Sequence, residues 1–209
     1  MSQLRLSPSR VNDFANCPLL YKYRIIDQLP ESPSLDAERG TLVHTVLHDL
    51  FESPAALRTV QTATDLLPSR WQLQLETKPE LASMITSEKE WLDRATSLLK
   101  TYFDLENPTI FEPTHRELHL EQDLADDIYL HGYVDRLDVA PTGEVRIIDY
   151  KTGVAKEEHY FQVENYARVL ESLNYSIPLN YISYINHIRI YYLYLCKEYC
   201  LNPLIYISK

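Results

Sequence analysis

Cysteine is scarce in this chain of 209 residues, and the three that occur are Cys17, Cys196 and Cys200. Such a sparse, odd-numbered set does not form the disulfide framework of small secreted proteins. Uninterrupted apolar runs are also well below the ~18 residues that a membrane-spanning helix needs. The first residues lack the apolar centre of a signal peptide. We therefore expect a cytoplasmic protein with no membrane partner.

Basic residues are in deficit as well, since 20 lysines and arginines stand against 30 acids, a net charge of −10. A basic footprint is usual where a protein binds nucleic-acid phosphates, so this balance argues mildly against such a partner. Overall charge does not describe a cleft, however, because bound divalent cations invert the local field. A glycine-rich phosphate loop and a Ser-His-Asp arrangement are also missing from the sequence, so ATP binding or helicase activity must come from another chain.

What the chain does have is the composition of one folded domain, with 45% hydrophobic and 11% aromatic residues. Apolar spacing and cap signals predict helices first, beginning at Ser7-Pro8 and interrupted at Cys17-Pro18. A sheet follows, with strands predicted at 128–139, 145–151 and 188–196 and a helix at 157–174. This order predicts a single α/β or α+β domain over 1–209, divided into a helical part at about 1–107, a sheet core at about 108–196 and a tail at about 175–209.

A hairpin between two of these strands carries the most informative residues. Pro141-Thr142-Gly143 matches a three-residue loop closed by a left-handed glycine. Counting back from this loop in antiparallel register places Asp135 directly opposite Asp149, with Lys151 on the same face. A loop of even length would turn Asp135 to the other face.

Two opposed carboxylates, with Cβ atoms about 4.5–5.5 Å apart, repel each other unless a proton or a cation lies between them. Oxygen ligands of this kind suit Mg²⁺ or Mn²⁺. Lys151 would then orient a water molecule or neutralise a transition state, which is equipment for phosphodiester hydrolysis. The same spacing fits an ordinary surface hairpin with an Asp-Lys pair, because D-x-K is common.

The residues around this hairpin closely resemble the core of the RecB-like PD-(D/E)XK nucleases, which include the RecB and AddB nuclease domains and the CRISPR-associated adaptation nucleases. The two central motifs are Gly132-Tyr133-Val134-Asp135-Arg136-Leu137-Asp138 and Ile147-Ile148-Asp149-Tyr150-Lys151-Thr152-Gly153. Three further pieces resemble family motifs in the family's order: Leu6-Ser7-Pro8-Ser9 with Cys17-Pro18 and Tyr21, then Gly40-Thr41-Leu42-Val43-His44, then Gln162-Val163-Glu164-Asn165-Tyr166.

The resemblance implies a restriction-endonuclease-like core, a mixed central sheet flanked by helices with an N-terminal helical insertion. It also implies Mg²⁺ or Mn²⁺ as cofactor and Lys151 as the catalytic lysine beside Asp135 and Asp149. The implied metal ligands are His44, Asp135, Asp149 and the backbone carbonyl of Tyr150, and the implied site-lining residues that contact DNA are Gln162 and Tyr166.

From the residues alone, His44 has two other interpretations. It flanks an apolar helical stripe, as a half-buried core histidine does, and it lies one turn from His48, as in a zinc pair without a third ligand.

The C-terminal part departs from the family pattern. Many relatives hold an iron–sulfur cluster with one N-terminal and three C-terminal cysteines, whereas Cys196 and Cys200 do not supply three. We therefore expect no cluster, and we expect Cys17 to be a small buried apolar residue. Residues 175–209 are rich in tyrosine and read as a closing strand and a divergent or truncated end.

The expected function is divalent-metal-dependent DNA hydrolysis, exonucleolytic by family analogy and linked to repair or recombination. Its partners would be single-stranded DNA or duplex ends, with a helicase acting in trans. The alternative is a catalytically impaired nuclease fold that binds DNA or a helicase partner. A hydrolase acting on another substrate has no feature in its favour.

Overall fold

A computed structural model describes residues 4–125, 128–141, 145–153 and 188–194. The helices in these residues are α1 Pro8–Asn16, α2 Pro18–Tyr21, α3 Leu35–Leu50, α4 Val60–Thr77, α5 Leu81–Met84 and α6 Glu88–Leu105, with a π-helical turn Lys22–Ile26 and a 3-10 turn Ala55–Leu57. The strands are β1 Leu4–Leu6, β2 His115–Ala125, β3 Ile128–Val139, β4 Val145–Lys151 and β5 Ile188–Tyr194. The helix predicted at 157–174 and most of the tail lie outside the described residues.

The first helix begins and ends where the sequence predicts. The Ser7 hydroxyl accepts a hydrogen bond from the Arg10 amide, and proline occupies the first turn of α1. The helix ends before Cys17-Pro18, because the residue before a proline is pushed out of the helical region.

Five strands form one mixed sheet in the described part of the chain, in the order β1-β3-β4-β5, with β2 also paired to β3. The β2–β3 and β3–β4 pairs are antiparallel, while β1–β3 and β4–β5 are parallel. Strand β1 lies within the part predicted as helical, so that division was wrong at its start. Leu4 to Leu6 pair with residues 128–130, and a three-residue strand defined by such a distant partner leaves no local pattern to detect.

The helices α3, α4 and α6 cover one face of the sheet. Their core includes Trp71, Trp91, Leu99 and Tyr102, and β4 contributes Ile148 and Tyr150 to it. Burying each large apolar side chain contributes roughly 1.5–3 kcal/mol before entropy costs. The predicted fold class, a mixed sheet flanked by helices, is confirmed. None of the helices in the described residues is long and apolar enough to cross a membrane.

Candidate active site

The register of β3 against β4 is the one predicted. The observed partners run from Arg136 with Ile148 to Val139 with Val145. One more step in the same register places Asp135 opposite Asp149. Residues 142–144 of the loop lie outside the described residues, and the strand pairs by themselves define the register.

Asp135 connects β3, β4 and helix α3. Its Oδ2 accepts a hydrogen bond of 2.7 Å from the backbone N–H of Tyr150. The same oxygen lies 3.5 Å from Nδ1 of His44. The carboxylate therefore lies where the strand pair and α3 meet.

Asp149 is more deeply buried than Asp135, with only 3% of the residue exposed. The Lys151 ammonium contacts Oδ2 of Asp149. Asp135 and Asp149 therefore have a cation beside them, as the strand register predicts. Burial raises the pKa of Asp149 to about 6, with Asp135 adding to the rise and Lys151 opposing it. The site therefore holds negative charge at an energetic cost, as expected where a cation is the natural partner.

His44 projects from the middle of α3, and its ring packs edge-on to Tyr150 with centroids 5.7 Å apart. Its side chain is 28% exposed, which agrees with a half-buried residue. Burial lowers the pKa of His44, but the hydrogen bond and charge of Asp135 outweigh burial, so the pKa lies above its ordinary value. A proton on His44 supplies positive charge that a bound metal ion would replace, since a ligating imidazole must be neutral.

A close approach between α3 and the end of β4 brings His44 to the carboxylates. A Cβ added at Gly40 would lie 2.8 Å from Oγ1 of Thr152. Gly40 therefore lets the helix approach the strand one turn before His44. This contact gives a physical reason for the glycine that begins the Gly40-to-His44 motif. It also joins that motif in space to the motif that ends in Thr152-Gly153.

Behind the carboxylates, on the helix-facing side of the sheet, lies a buried network around Arg136. The guanidinium binds both carboxylate oxygens of Glu106 at 2.7 and 2.8 Å. It also donates to Asp138 at 3.0 Å and to the Tyr150 hydroxyl at 2.8 Å. Arg146 completes the network by binding Asp138. These bonds tie β3 and β4 to the end of α6.

Glu117 is a further candidate ligand, and its alternation with His115, His119 and Glu121 along one strand edge equally fits a solvated sheet face. Its backbone has φ of 49°, a left-handed value that glycine tolerates best. The β2–β3 pairs on either side of it are in register, and Glu117 itself lies beside a small cleft with His44, His48 and Asp135. Burial and the charge of Asp135 raise the pKa of Glu117. The alternation of acids and histidines along β2 marks Glu117 in the sequence, while its left-handed backbone and its place beside the cleft are visible only in the structure.

The chemistry of the donor set fits a hard divalent cation, because Asp135 and Asp149 offer oxygen ligands and His44 an imidazole beside them. In the arrangement described, Lys151 and the Tyr150 N–H occupy carboxylate oxygens. Within the described residues, no three His, Cys, Asp or Glu side chains are grouped as a ready metal site. In the same part of the chain, no nitrogen or sulfur ligand is grouped with His44 and His48 to complete a zinc pair.

Other predicted residues have different outcomes. Gln162, Tyr166, Cys196 and Cys200 lie outside the described residues, and the Tyr150 carbonyl stays a predicted ligand. The expectation that Cys17 is buried was wrong, because this residue is exposed. It lies at the junction between α1 and α2, and such connections run over the protein surface.

The chain belongs to the PD-(D/E)XK nuclease superfamily, whose family model matches residues 5–198. Among curated proteins it is similar to the Gene 69 protein of Mycobacterium phage D29, with 27% identity over 184 residues. The aligned part covers 73% of this chain and 65% of the phage protein. The chain therefore spans about two thirds of the length of this relative.

Proposed function

We propose that this protein is a divalent-metal-dependent deoxyribonuclease of the RecB-like group, an exonuclease that acts in DNA repair or recombination. Its substrates would be single strands or duplex ends, presented by a helicase in trans. Membership of the nuclease superfamily supports the general class. The exonuclease, RecB-like and helicase assignments rest on motif resemblance.

The observation that carries the proposal is the strand register. It brings Asp135 opposite Asp149, with Lys151 against Asp149 and His44 3.5 Å from Asp135. An ordinary surface hairpin would leave such a pair in solvent, whereas Asp149 is 3% exposed. Burying charge is costly, and strongly perturbed carboxylates of this kind concentrate at functional sites.

The residues divide into three proposed roles. The proposed metal ligands are His44, Asp135, Asp149 and the backbone carbonyl of Tyr150, with Gln162 and Tyr166 as site-lining residues that contact DNA. A bound Mg²⁺ or Mn²⁺ would supply Lewis-acid stabilisation of the phosphate oxygens. Lys151 holds its ammonium beside Asp149, where it can orient a water or neutralise charge that develops on the phosphate.

The test is cleavage of end-labelled DNA by the purified protein. Linear single strands, linear duplexes and circular DNA are incubated with Mg²⁺, Mn²⁺ or a chelator. We expect metal-dependent cleavage of the linear substrates, abolished by the chelator, with circular DNA resistant if the enzyme needs an end. Asp149→Asn and Lys151→Met should each lower the rate by about 100-fold or more, the scale seen when a transition-state contact is removed.

The matched control is Asp36→Asn, which removes a carboxylate from the same helix as His44 at a side chain that is 89% exposed. This variant should cleave like the wild type. Absence of cleavage by the wild type, or equal cleavage by Asp149→Asn, would contradict the nuclease proposal. DNA binding without cleavage would instead support the alternative, an impaired nuclease fold that binds DNA.

A further inference from the structure

A row of aromatic side chains, here called the aromatic strip, lies along β3 and its neighbours. It consists of Tyr129, His131 and Tyr133 from β3 and His119 from β2. Arg5 of β1 lies at the far end, paired in register with Tyr129. None of these residues belongs to the carboxylate and lysine cluster described above.

The aromatic strip leads directly to that cluster. Along β3 the even-numbered Leu130, Gly132 and Val134 are buried, so the odd-numbered residues share the other face. Asp135 is the next odd-numbered residue after Tyr133. At about 3.4 Å per residue, Tyr133 lies about 7 Å and Tyr129 about 20 Å from Asp135 along the strand.

The rings of the aromatic strip are already arranged as stacking partners. Tyr133 is 53% exposed, and its ring stacks on His119 with centroids 4.5 Å apart and planes 19° apart. Tyr129 and His131 are also near-parallel, at 6.3 Å and 25°. The Arg5 guanidinium lies 5.1 Å from the centre of the Tyr129 ring. Pre-stacked rings lose little conformational entropy when another flat ring is added.

The charges along the aromatic strip are mixed. Burial, Arg5 and Arg10 lower the pKa of His131, which keeps that ring neutral near neutral pH. His119 lies 3.2 Å from the Glu121 carboxylate, so acidic groups line the same face. A ligand recognised here would therefore gain more from stacking than from phosphate neutralisation, apart from the contribution of Arg5.

We propose that the aromatic strip binds the unpaired bases of a single DNA strand next to the carboxylate cluster. The proposal rests on the proposed nuclease function, since the site next to the aromatic strip identifies the ligand as nucleic acid. Bases inside a duplex are already stacked on each other, so only an unpaired strand can offer them to these rings. The distance of about 20 Å from Tyr129 to Asp135 corresponds to about six nucleotide steps of 3.4 Å. This number lies within the 4–16 nucleotides typical of single-strand-binding domains.

The test is the affinity for a fluorescein-labelled oligo-dT of roughly ten nucleotides, within that range, measured by anisotropy in the presence of a chelator. Tyr133→Ala should weaken binding by about 5- to 150-fold, the range for loss of one base stack. Tyr133→Phe should bind like the wild type, because the ring is kept. Tyr23→Ala is the control, as Tyr23 is also exposed, at 43%, and belongs to the π-helical turn outside the aromatic strip.

A second measurement leaves the protein unchanged and alters the DNA. An oligonucleotide with abasic positions should bind the wild type more weakly than intact oligo-dT does, and Tyr133→Ala should show little of this difference. Blunt duplex DNA should bind the wild type and Tyr133→Ala equally. The proposal is overturned if Tyr133→Ala binds oligo-dT like the wild type, or loses the same affinity for duplex, or responds to abasic positions as the wild type does.

These outcomes are separable from those of the nuclease proposal. Tyr133-dependent binding by a wild type that cleaves nothing would support the aromatic strip and contradict the nuclease. Metal-dependent cleavage with Tyr133-independent binding would do the reverse. Unchanged binding would leave a protein partner as the occupant of this face.

Discussion

Two adjacent residues of β3, Asp135 and Arg136, have very different electrostatic surroundings. Arg136, fully buried, has its guanidinium bound to Glu106, Asp138 and Tyr150. Asp135, the residue before it, shares a small region with Asp149 and lies across from Glu117. In the Arg136 network the carboxylates are matched by two guanidinium groups, while three carboxylates gather at Asp135 with Lys151 and His44 beside them.

The difference separates charges that hold the fold together from charges that we propose bind a ligand. A buried ion pair with all its hydrogen bonds made holds elements in one arrangement, although it adds little net stability over apolar packing. A buried carboxylate with its pKa raised to about 6 is instead a cost that the folded protein carries. A protein retains such a cost where a cation or a reaction offsets it. The Arg136 network thus holds β3 and β4 in the register that places Asp135 opposite Asp149.

The largest expected effect comes from breaking the compensated network. Arg136→Ala leaves Glu106 and Asp138 buried without their main partner, which should cost about 3–5 kcal/mol in the free energy of unfolding. Urea denaturation measures this loss. Arg146→Ala is the control, because Arg146 binds the same Asp138 from a side chain that is 34% exposed. Equal losses in both variants would show that burial of Arg136 is not what makes it important.

The next effect concerns the pH dependence of the metal-free protein. The pKa of Asp149 is raised from 3.8 to about 6 on folding, so the folded state binds this proton more tightly than the unfolded state. Proton binding by Asp149 therefore adds about 3 kcal/mol to the free energy of unfolding below about pH 4. This contribution is lost as the pH rises through 6. Asp149→Asn removes this titration. Its stability relative to the wild type should therefore rise between pH 4 and pH 7.

Thermal or urea unfolding of both proteins across this pH range, with a chelator present, checks the expectation. Mg²⁺ or Mn²⁺ at pH 7 should stabilise the wild type and leave Asp149→Asn nearly unchanged, since a ligand that binds the folded state stabilises it. A stability difference that stays constant with pH would contradict the raised pKa.

A smaller effect is expected where α3 approaches β4. Gly40→Ala introduces a Cβ 2.8 Å from Oγ1 of Thr152. We expect a net loss of about 1 kcal/mol, because strain of roughly 1–3 kcal/mol exceeds the helix-propensity gain of about 1 kcal/mol. Adding Thr152→Ala removes the clashing oxygen and should turn Gly40→Ala into a stabilising change. Urea unfolding of the four proteins in this cycle measures the coupling, and additive effects would contradict the close contact.

The smallest effect tests the backbone of Glu117. Because its φ is 49°, Glu117→Gly should be more stable than Glu117→Ala by about 1 kcal/mol. At Glu121, four residues along β2, the order should reverse, since glycine weakens a regular strand by roughly 0.5–1 kcal/mol. Thermal unfolding of the four variants makes the comparison. The same preference at both positions would show that Glu117 is not in the left-handed conformation.

Much of the site could be predicted from the sequence because its determinants are local. Strands β3 and β4 have the predicted bounds, and the register that places Asp135 opposite Asp149 follows from the length of a turn. Helix α1 likewise follows from Ser7 and the Pro18 signal. The exposure of Cys17 was mispredicted because burial depends on what packs over a residue. Strand β1 was missed because its pairing partner lies more than one hundred residues away.

The sequence by itself determined the hairpin, its carboxylates and lysine, and the family to which they point, because strand alternation and turn geometry act over a few residues. Only the tertiary structure decided the 3.5 Å approach of His44 to Asp135, the Arg136 network behind it, the left-handed Glu117 and the aromatic strip leading to the site. The approach of His44 and the Arg136 network join elements far apart in the chain, and burial of a shared core brings these elements together.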